Sequence, residues 1–268
     1  MAWHYRGFAR GEFLNQKDLA FADYSEAIRL KPDYGLALFW RARAHVSRKQ
    51  YDRAIADYSE SIKFRPDSPT AFSGRGRVYA VLKQWDKAIA DYSEAIKLKP
   101  DYFHAFRARS RAYEGLKQWD KAIAEWTKML ELRSNSDTNN GLAWLLASCP
   151  DPKFRDAARA VELGKKAVEL SPNMGEYWNT LGLAHYRAGD WAQSISDLER
   201  SASLRKGGDS ADWFILAMAH WQLVHKDEAR KWYDQAIAWM DKNQPANKEL
   251  GRFRAEAAEL LGVNDKKD

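Results

Sequence analysis

Residues 83–102 read KQWDKAIADYSEAIKLKPDY, and most of this stretch is repeated elsewhere in the chain. The motif KQWDKAIA returns at 117–124, ADYSEAI also occurs at 22–28, and the variant ADYSESI occupies 56–62. Three prolines, Pro32, Pro66 and Pro100, follow one another at intervals of 34 residues. A fixed period of this length indicates stacked helical hairpins, because a single hairpin is too small to bury both of its apolar faces.

Each period is predicted to contain two helices. In the period 69–102, apolar and small residues recur at helical spacing from residue 69 to residue 82, so the first helix is predicted there. The dipeptide Lys83-Gln84 is predicted to form the turn. The second helix is predicted to start at Trp85 and to stop before Pro100, which cannot continue it.

This pattern resembles the tetratricopeptide repeat (TPR) family, whose unit carries a large residue, Gly or Ala, an aromatic, Ala, an aromatic, Ala and Pro in that order. The period 69–102 holds these positions as Phe72, Gly76, Tyr79, Ala88, Tyr92, Ala95 and Pro100. The resemblance implies an all-α superhelical solenoid of about seven helical hairpins with a C-terminal capping helix. The C-terminal half also resembles bacterial multi-repeat TPR proteins, some of which are fused to protein kinases.

The array is expected to be continuous but uneven. Residues 1–134 are predicted to form four repeat units, the first of them with a first helix one residue short, and residues 135–243 three more, the first with an insertion. A last helix, 246–262, is predicted to cap the seventh unit with its apolar face. Its charged residues are expected to face water: Glu249, Arg252, Arg254, Glu256 and Glu259.

The positive charge is concentrated in the N-terminal half. Residues 1–134 carry 25 Lys and Arg against 17 Asp and Glu, whereas residues 135–268 carry 18 against 20. The overall net charge is therefore +6, with +8 in the first half. A basic half can attract an anionic partner, although exposed lysines on helical repeats also serve solubility alone.

The sequence lacks the usual signatures of catalysis and of membrane insertion. It contains no glycine-rich phosphate loop, no nucleophile elbow and no cysteine pair with metal-ligand spacing. His45, His185 and His220 share one repeat position, so they are expected to pack between helices. We therefore predict a non-enzyme without metal or cofactor. The N-terminus has no signal-like apolar run and no stretch reaches about 18 apolar residues, so a cytoplasmic protein is expected.

Two arginine rows follow the repeat. Arg6, Arg41, Arg75 and Arg109 hold one repeat position, here called the internal arginine row. The second helices of the same four units carry acids, and these are expected to pair with the row: Asp23, Asp57, Asp91 and Glu125. Arg43, Arg77 and Arg111 lie two residues farther along, which turns them about 200° around the helix. The second row is therefore expected to face the opposite side.

In the TPR family, that opposite face of the first helices lines a concave groove that holds a peptide. The resemblance implies a basic end and an aromatic end of the groove in this chain. The candidate ligand-binding residues are Phe39, Arg43, Arg77, Arg107 and Arg111 at the basic end, and Asn140, Trp144, Asn179, Tyr186 and Trp221 at the aromatic end. Because paired guanidinium hydrogen bonds suit carboxylates, an acidic peptide is the expected ligand.

The function expected from these features is a non-catalytic scaffold for protein–protein interaction. One alternative is a nucleic-acid-binding helical array, which the basic half supports but the proline-ended repeat and the regularly placed tryptophans do not favour. A second alternative is a regulatory arm of a larger enzyme such as a kinase, which the uncapped start at Met1 supports.

Overall fold

The computed structural model describes residues 2–14, 16–205, 207 and 210–263. All regular secondary structure in this part of the chain is helical, which confirms the predicted all-α class. The chain divides into two compact units, Met1–Trp126 and Thr127–Asp268. The boundary falls inside a helix, whereas the sequence placed a division after residue 134. That division, and the continuity of the array across it, remain predictions.

The first unit is a succession of helical hairpins in which each helix packs on the next along the chain. Its helices are α1 (Ala2–Phe8), α2 (Lys17–Leu30), α3 (Gly35–Ser47), α4 (Tyr51–Phe64), α5 (Pro69–Val81), α6 (Trp85–Leu98), α7 (Phe103–Gly115) and α8 (Trp119–Leu132), the last of which runs into the second unit.

The hairpin of α5 and α6 forms where the sequence predicted it. Ser68 caps α5, since its hydroxyl accepts a hydrogen bond from the backbone N–H of Ala71, and a proline follows the cap. Lys83 takes a left-handed conformation with φ of 57° in the tight turn before α6. Ala88 and Tyr92 of α6 are buried at 0% and 2% exposure, as a close crossing of the two helices requires.

The first hairpin differs from the other hairpins of the first unit by one inserted residue. Arg6 and Asp23 are 17 positions apart, while the equivalent pair Arg41 and Asp57 is 16 apart. A π-helix, Ala9–Phe13, follows α1 and takes up the extra residue, since each π-type turn holds one residue more than an α-type turn. The first helix, predicted to be one residue short, is thus followed by a π-helical segment, Ala9–Phe13, that contains the extra residue.

The second unit contains the remaining hairpins. Its helices are α9 (Ser136–Ser148), α10 (Ala157–Leu170), α11 (Gly175–Ala188), α12 (Trp191–Leu204), α13 (Ser210–Gln222), α14 (Lys226–Asn243) and α15 (Lys248–Leu261). A short 3₁₀ helix, Pro152–Phe154, lies in the turn between α9 and α10, where the sequence indicated an insertion. Where the first unit has its internal arginines, this unit buries Leu142, Leu181 and Leu216.

Helix α15 has the predicted apolar face but is held by more than that face. Phe253 is fully buried and packs edge-on against Trp144 of α9, with ring centroids 6.3 Å apart. Three residues expected to face water are instead partly buried: Arg252, Arg254 and Glu256. Glu256 forms a two-bond ion pair with Arg187 of α11, and Arg254 donates to Asp241. The expectation failed because the helix contacts several earlier helices of its unit, not only the hairpin before it.

Candidate functional site

The internal arginine row is neutralised within the first unit. Arg75 of α5 donates from Nε and Nη2 to the two carboxylate oxygens of Asp91, at 2.8 and 2.7 Å. Its remaining nitrogen, Nη1, donates to Ser59 Oγ of the preceding hairpin at 3.0 Å. Equivalent two-bond pairs join Arg6 to Asp23 and Arg41 to Asp57. The predicted internal pairs are therefore present, and their position between the two helices of each hairpin makes them structural.

The fourth pair is less complete because its acid is longer. Arg109 reaches both oxygens of Glu125 through Nη2 alone, at 2.9 and 3.0 Å, and its buried Nε has no hydrogen-bond partner. Burial raises the pKa of the Glu125 carboxyl, although Arg109 opposes the rise. In the first hairpin, burial would raise the pKa of Asp23, but Arg6 and Arg10 lower it below its usual value.

The second arginine row lies on the other side of the first helices, as its 200° offset predicts. One groove of about 670 Å³ is lined by Phe39, Arg43, Arg77, Arg107 and Arg111, which are the five sequence candidates of the basic end. This groove is named the basic groove below. All four arginines are exposed, and Arg43 stacks over the Trp40 ring at 4.4 Å. The structure thus brings these candidates together, while their role in binding stays a prediction.

The floor of the basic groove is aromatic. Tyr58, Trp85, Tyr92 and Tyr102 contribute to its lining. Trp85 and Tyr102 are half-buried, whereas Tyr58 and Tyr92 are almost fully covered, at 0% and 2% exposure. Gly74 is required there, since a methyl group on it would lie 2.7 Å from the Tyr58 ring. Burial raises the pKa of Tyr92 to about 12 even though the guanidinium groups of Arg77 and Arg111 oppose the rise.

The basic groove carries a strong excess of positive charge. Among the described residues that line it, there are four arginines and His104 but no aspartate or glutamate. Arg77, Arg107 and Arg111 form no carboxylate ion pair with any described residue. Arginines crowded on a half-apolar floor attract anions strongly, because the field is less screened there than over an open surface.

The aromatic candidates of the second unit are already engaged within the chain. Trp144 lies against Phe253 of α15, and Tyr186 is partly buried close to Glu256 of the same helix. Burial raises the pKa of the Tyr186 hydroxyl, and the Glu256 carboxylate adds to the rise. Helix α15 therefore covers part of the face on which a peptide was expected to bind.

The other candidates of that end have mixed environments. Asn179 is buried and donates its amide to Asp212 at 2.7 Å, so it serves the packing of α11 on α13. Trp221 is half-buried beneath the ammonium group of Lys226, 5.5 Å from the ring centroid. Asn140 is half-buried, and its side-chain oxygen has no hydrogen-bond partner. These three residues therefore have different surroundings, and their role in binding stays a prediction.

Sequence reasoning missed several side chains at both places. Tyr102 and His104 line the basic groove, although neither belongs to the arginine rows. Both lie where one repeat passes into the next, and the groove candidates were taken only from mid-helix positions. In the second unit, Arg155, Arg187 and Arg252 gather around Glu256. Burial lowers the pKa of Arg155 and of Arg252, and repulsion from the neighbouring arginines lowers both values further. No repeated position signals that cluster.

The described residues offer neither a metal site nor a membrane span. No group of three or more His, Cys, Asp or Glu side chains among them is placed to hold a metal ion. None of the described helices combines the length and the apolar character needed to cross a bilayer. The shared histidines behave as packing residues in two of three units, where His45 and His185 are buried and hydrogen-bonded to Gln50 and Asp197.

Models of the tetratricopeptide repeat match the chain at 42–82, at 69–102, and at 153–211 together with 179–248, which is more than half of its length. The chain belongs to the tetratricopeptide repeat family. TPR proteins typically mediate protein–protein interactions. No curated protein matches it in sequence.

Solved TPR structures share the fold at low sequence identity. A tetratricopeptide repeat protein from Parabacteroides merdae ATCC 43184 superimposes with a TM-score of 0.67 at 15% identity, covering 97% of this chain and 98% of the other. The type IV pilus biogenesis factor PilW gives 0.63 at 18% identity, covering 81% and 97%. YrrB, described as a TPR protein with an unusual peptide-binding site, gives 0.54 at 17% identity, covering 68% and 92%.

Proposed function

We propose that this TPR chain is a non-catalytic scaffold that binds an acidic segment of a protein partner in the basic groove. The observation that carries the proposal is the set of four exposed arginines on one aromatic floor, with no carboxylate among the described lining residues. The internal arginine row supports the proposal by comparison with the groove. Each arginine of the internal row has an acid partner in its own hairpin, whereas the described lining of the groove contains no acid.

A peptide with carboxylates would gain two kinds of contact in this groove. Guanidinium groups donate paired hydrogen bonds to carboxylates, and such charge-assisted bonds are stronger than neutral ones. The aromatic floor offers apolar area to the rest of the segment, with Phe39 and Trp85 both half-buried and open to contact. A peptide-binding site is also named in the description of YrrB, which shares the fold.

The test is partner capture with matched variants. The full chain, a groove variant carrying Arg77→Gln, Arg107→Gln and Arg111→Gln, and a control carrying Arg53→Gln, Lys63→Gln and Lys97→Gln would each be immobilised and exposed to the same lysate. Each variant loses three exposed positive charges, but the control residues lie on second helices outside the groove. We expect partners that the control retains and the groove variant loses.

Two outcomes would contradict the proposal. Equal capture by the two variants would show that the groove arginines have no special part in binding: net charge attracts the partners if both variants lose them, and neither set of charges matters if both keep them. Tight binding of polyuridylate, with an affinity that falls steeply between 50 and 200 mM salt, would favour the nucleic-acid alternative. The regulatory-arm alternative remains a prediction. The capture experiment would support it only if the partner that the control variant retains is an enzyme.

A further inference from the structure

One hairpin of the second unit keeps an internal acid although it has lost the arginine that would pair with it. In the first unit, every arginine of the internal row has an acid opposite it on the second helix. The same two positions of α11 and α12 hold Leu181 and Asp197. The other two hairpins of the second unit have replaced the acid as well, by Leu163 and Trp232. Asp197 is thus an internal acid whose repeat partner is missing, and it is buried at 1% exposure.

A pocket lies beside this pair of residues. It has a volume of about 460 Å³ and is lined by side chains of α10, α11 and α12, among them Leu181 and Asp197. It is named the acidic pocket below, because its described lining contains three carboxylates, Glu169, Asp190 and Asp197, against one lysine, Lys165. An excess of carboxylates in a concave, half-apolar lining attracts a cationic group.

The pocket also contains the positions that surround an internal arginine in the first unit. The guanidinium group of Arg75 lies over the ring of Phe72 at 5.9 Å, and the fourth hairpin repeats this arrangement at 5.7 Å. Arg75 also contacts Ser59 of the hairpin before it. Trp178 holds the repeat position of Phe72, Lys165 holds that of Ser59, and both line the pocket. Trp178 is half-buried, and tryptophan is the ring that attracts a guanidinium group most strongly.

The carboxylate of Asp197 is covered by a side chain that can be displaced. The Nδ1 atom of His185 lies 2.6 Å from its Oδ2, and the amide of Gln193 donates to its Oδ1 at 2.9 Å. Gln193 is exposed, so its amide can turn to water instead. A guanidinium group would replace this single bond from a neutral amide by paired bonds between two charged groups. In the second hairpin, Asp57 accepts two bonds from its arginine while the ring of His45 lies 3.6 Å away, so a histidine at this position leaves room for the pair.

We propose that the acidic pocket binds the guanidinium group of a ligand, supplied by a small guanidino compound or by an arginine side chain of a protein partner. Asp197 pairs with the group after Gln193 turns away, and Trp178 stacks on its face. An ammonium group is a poorer ligand, because it lacks the planar fork that matches a carboxylate. The pocket lies wholly within the second unit, and this inference does not rest on the function proposed for the basic groove.

Blocked amino acids test the chemistry by NMR titration of the full chain. N-acetyl-arginine methylamide carries the proposed group, the lysine derivative carries the same charge without the fork, and the citrulline derivative keeps the shape without the charge. The indole N–H of Trp178 and the side-chain amide of Gln193 report on the pocket. We expect saturable shifts of both signals with the arginine derivative, binding of the lysine derivative weaker by about fivefold or more, and no saturable shift with citrulline.

Two further probes separate the sources of the group. Ethylguanidinium carries the group without a peptide backbone, and blocked Gly-Gly-Arg-Gly-Gly carries it on a protein-like segment. Tighter binding of ethylguanidinium than of the peptide assigns the pocket to a small compound. Equal or tighter binding of the peptide assigns it to an arginine of a partner. Either result supports the site.

Variants assign the contacts, with circular dichroism to confirm that each one is folded. Leu181→Arg restores the side chain of the first unit, so the chain's own guanidinium group should occupy the pocket and abolish binding. Asp197→Asn should weaken binding about tenfold or more and decides the question if Leu181→Arg does not fold. Glu199→Gln removes an exposed acid of α12 outside the pocket and should leave binding unchanged. Full binding by Leu181→Arg or Asp197→Asn, equal binding of the lysine or citrulline derivative, or no saturable shift with any probe would overturn the proposal.

Discussion

Asp91 offers the sharpest test of the internal arginine row. The Arg75 side chain is 20% exposed and that of Asp91 only 7%, and two short hydrogen bonds join them. The bond to Asp91 raises the pKa of Arg75 despite its burial. Changing Asp91 to Leu would leave Ser59 as the only one of the guanidinium's present hydrogen-bond partners among the described residues. Removing one member of a buried pair costs about 3–5 kcal/mol, and we expect a loss of unfolding free energy in that range.

The second step of the test replaces both partners. A chain carrying Arg75→Met and Asp91→Leu has no buried charge at this position and keeps similar side-chain volumes. Because such apolar replacements are often neutral or stabilising, the double variant should be far more stable than Asp91→Leu alone. Glu94→Ala is the matched control, since its partner Lys97 lies 3.6 Å away and both side chains are at least half exposed. That change should cost under about 1 kcal/mol.

Urea unfolding followed by circular dichroism measures all four chains. Midpoints are compared at a common slope, and each chain is fitted only where its transition is single, because repeat arrays can unfold in steps. The reasoning is refuted if Asp91→Leu loses no more stability than Glu94→Ala, or if the double variant is no more stable than Asp91→Leu alone.

Two further predictions follow from unusual local environments. Glu125→Asp should stabilise the chain by about 1 kcal/mol, raising the melting temperature by roughly 2–4 °C, because aspartate at this position accepts from both Nε and Nη2 of its arginine in the other three hairpins; an unchanged or lower melting temperature would contradict it. His4 is 3% exposed, and burial lowers its pKa below the ordinary 6.5. As pH falls below 6.5, the unfolded chain therefore takes up a proton at His4 more readily than the folded chain, and stability is lost. The melting temperature of His4→Phe should fall less between pH 7.5 and pH 5.5 than that of the parent, and an equal fall would show that His4 does not contribute.

The repeat made much of the first unit predictable. Equivalent residues on stacked equivalent hairpins must form rows, so the repeat period alone matches a position such as Arg75 with Asp91. The same rule placed Arg43, Arg77 and Arg111 on one face. It did not predict the π-helix after α1, because that depends on an inserted residue. It did not predict the lining by Tyr102 and His104 either, because the groove candidates were taken from mid-helix positions and these two residues lie at the start of α7.

The second unit was less predictable because its contacts break the period. Helix α15 has an apolar face that the sequence shows, but the sequence does not say which helices that face meets. Its partners, Trp144 of α9 and Arg187 of α11, are 109 and 69 residues away from Phe253 and Glu256. The aromatic residues expected to meet a ligand are therefore partly used to hold the chain's own last helix.

The two arginine rows differ in whether the chain supplies acids beside them, and this difference supports a binding role for the basic groove. Both rows lie on the same helices, two residues apart, so they differ in surroundings and not in residue type or propensity. The internal row has one acid for each arginine, which offsets much of the cost of burying the charge. The described lining of the groove supplies none for four arginines, and like charges held close together oppose folding. Arg77, Arg107 and Arg111 form no carboxylate ion pair with any described residue, so a partner's carboxylates would relieve that repulsion on binding.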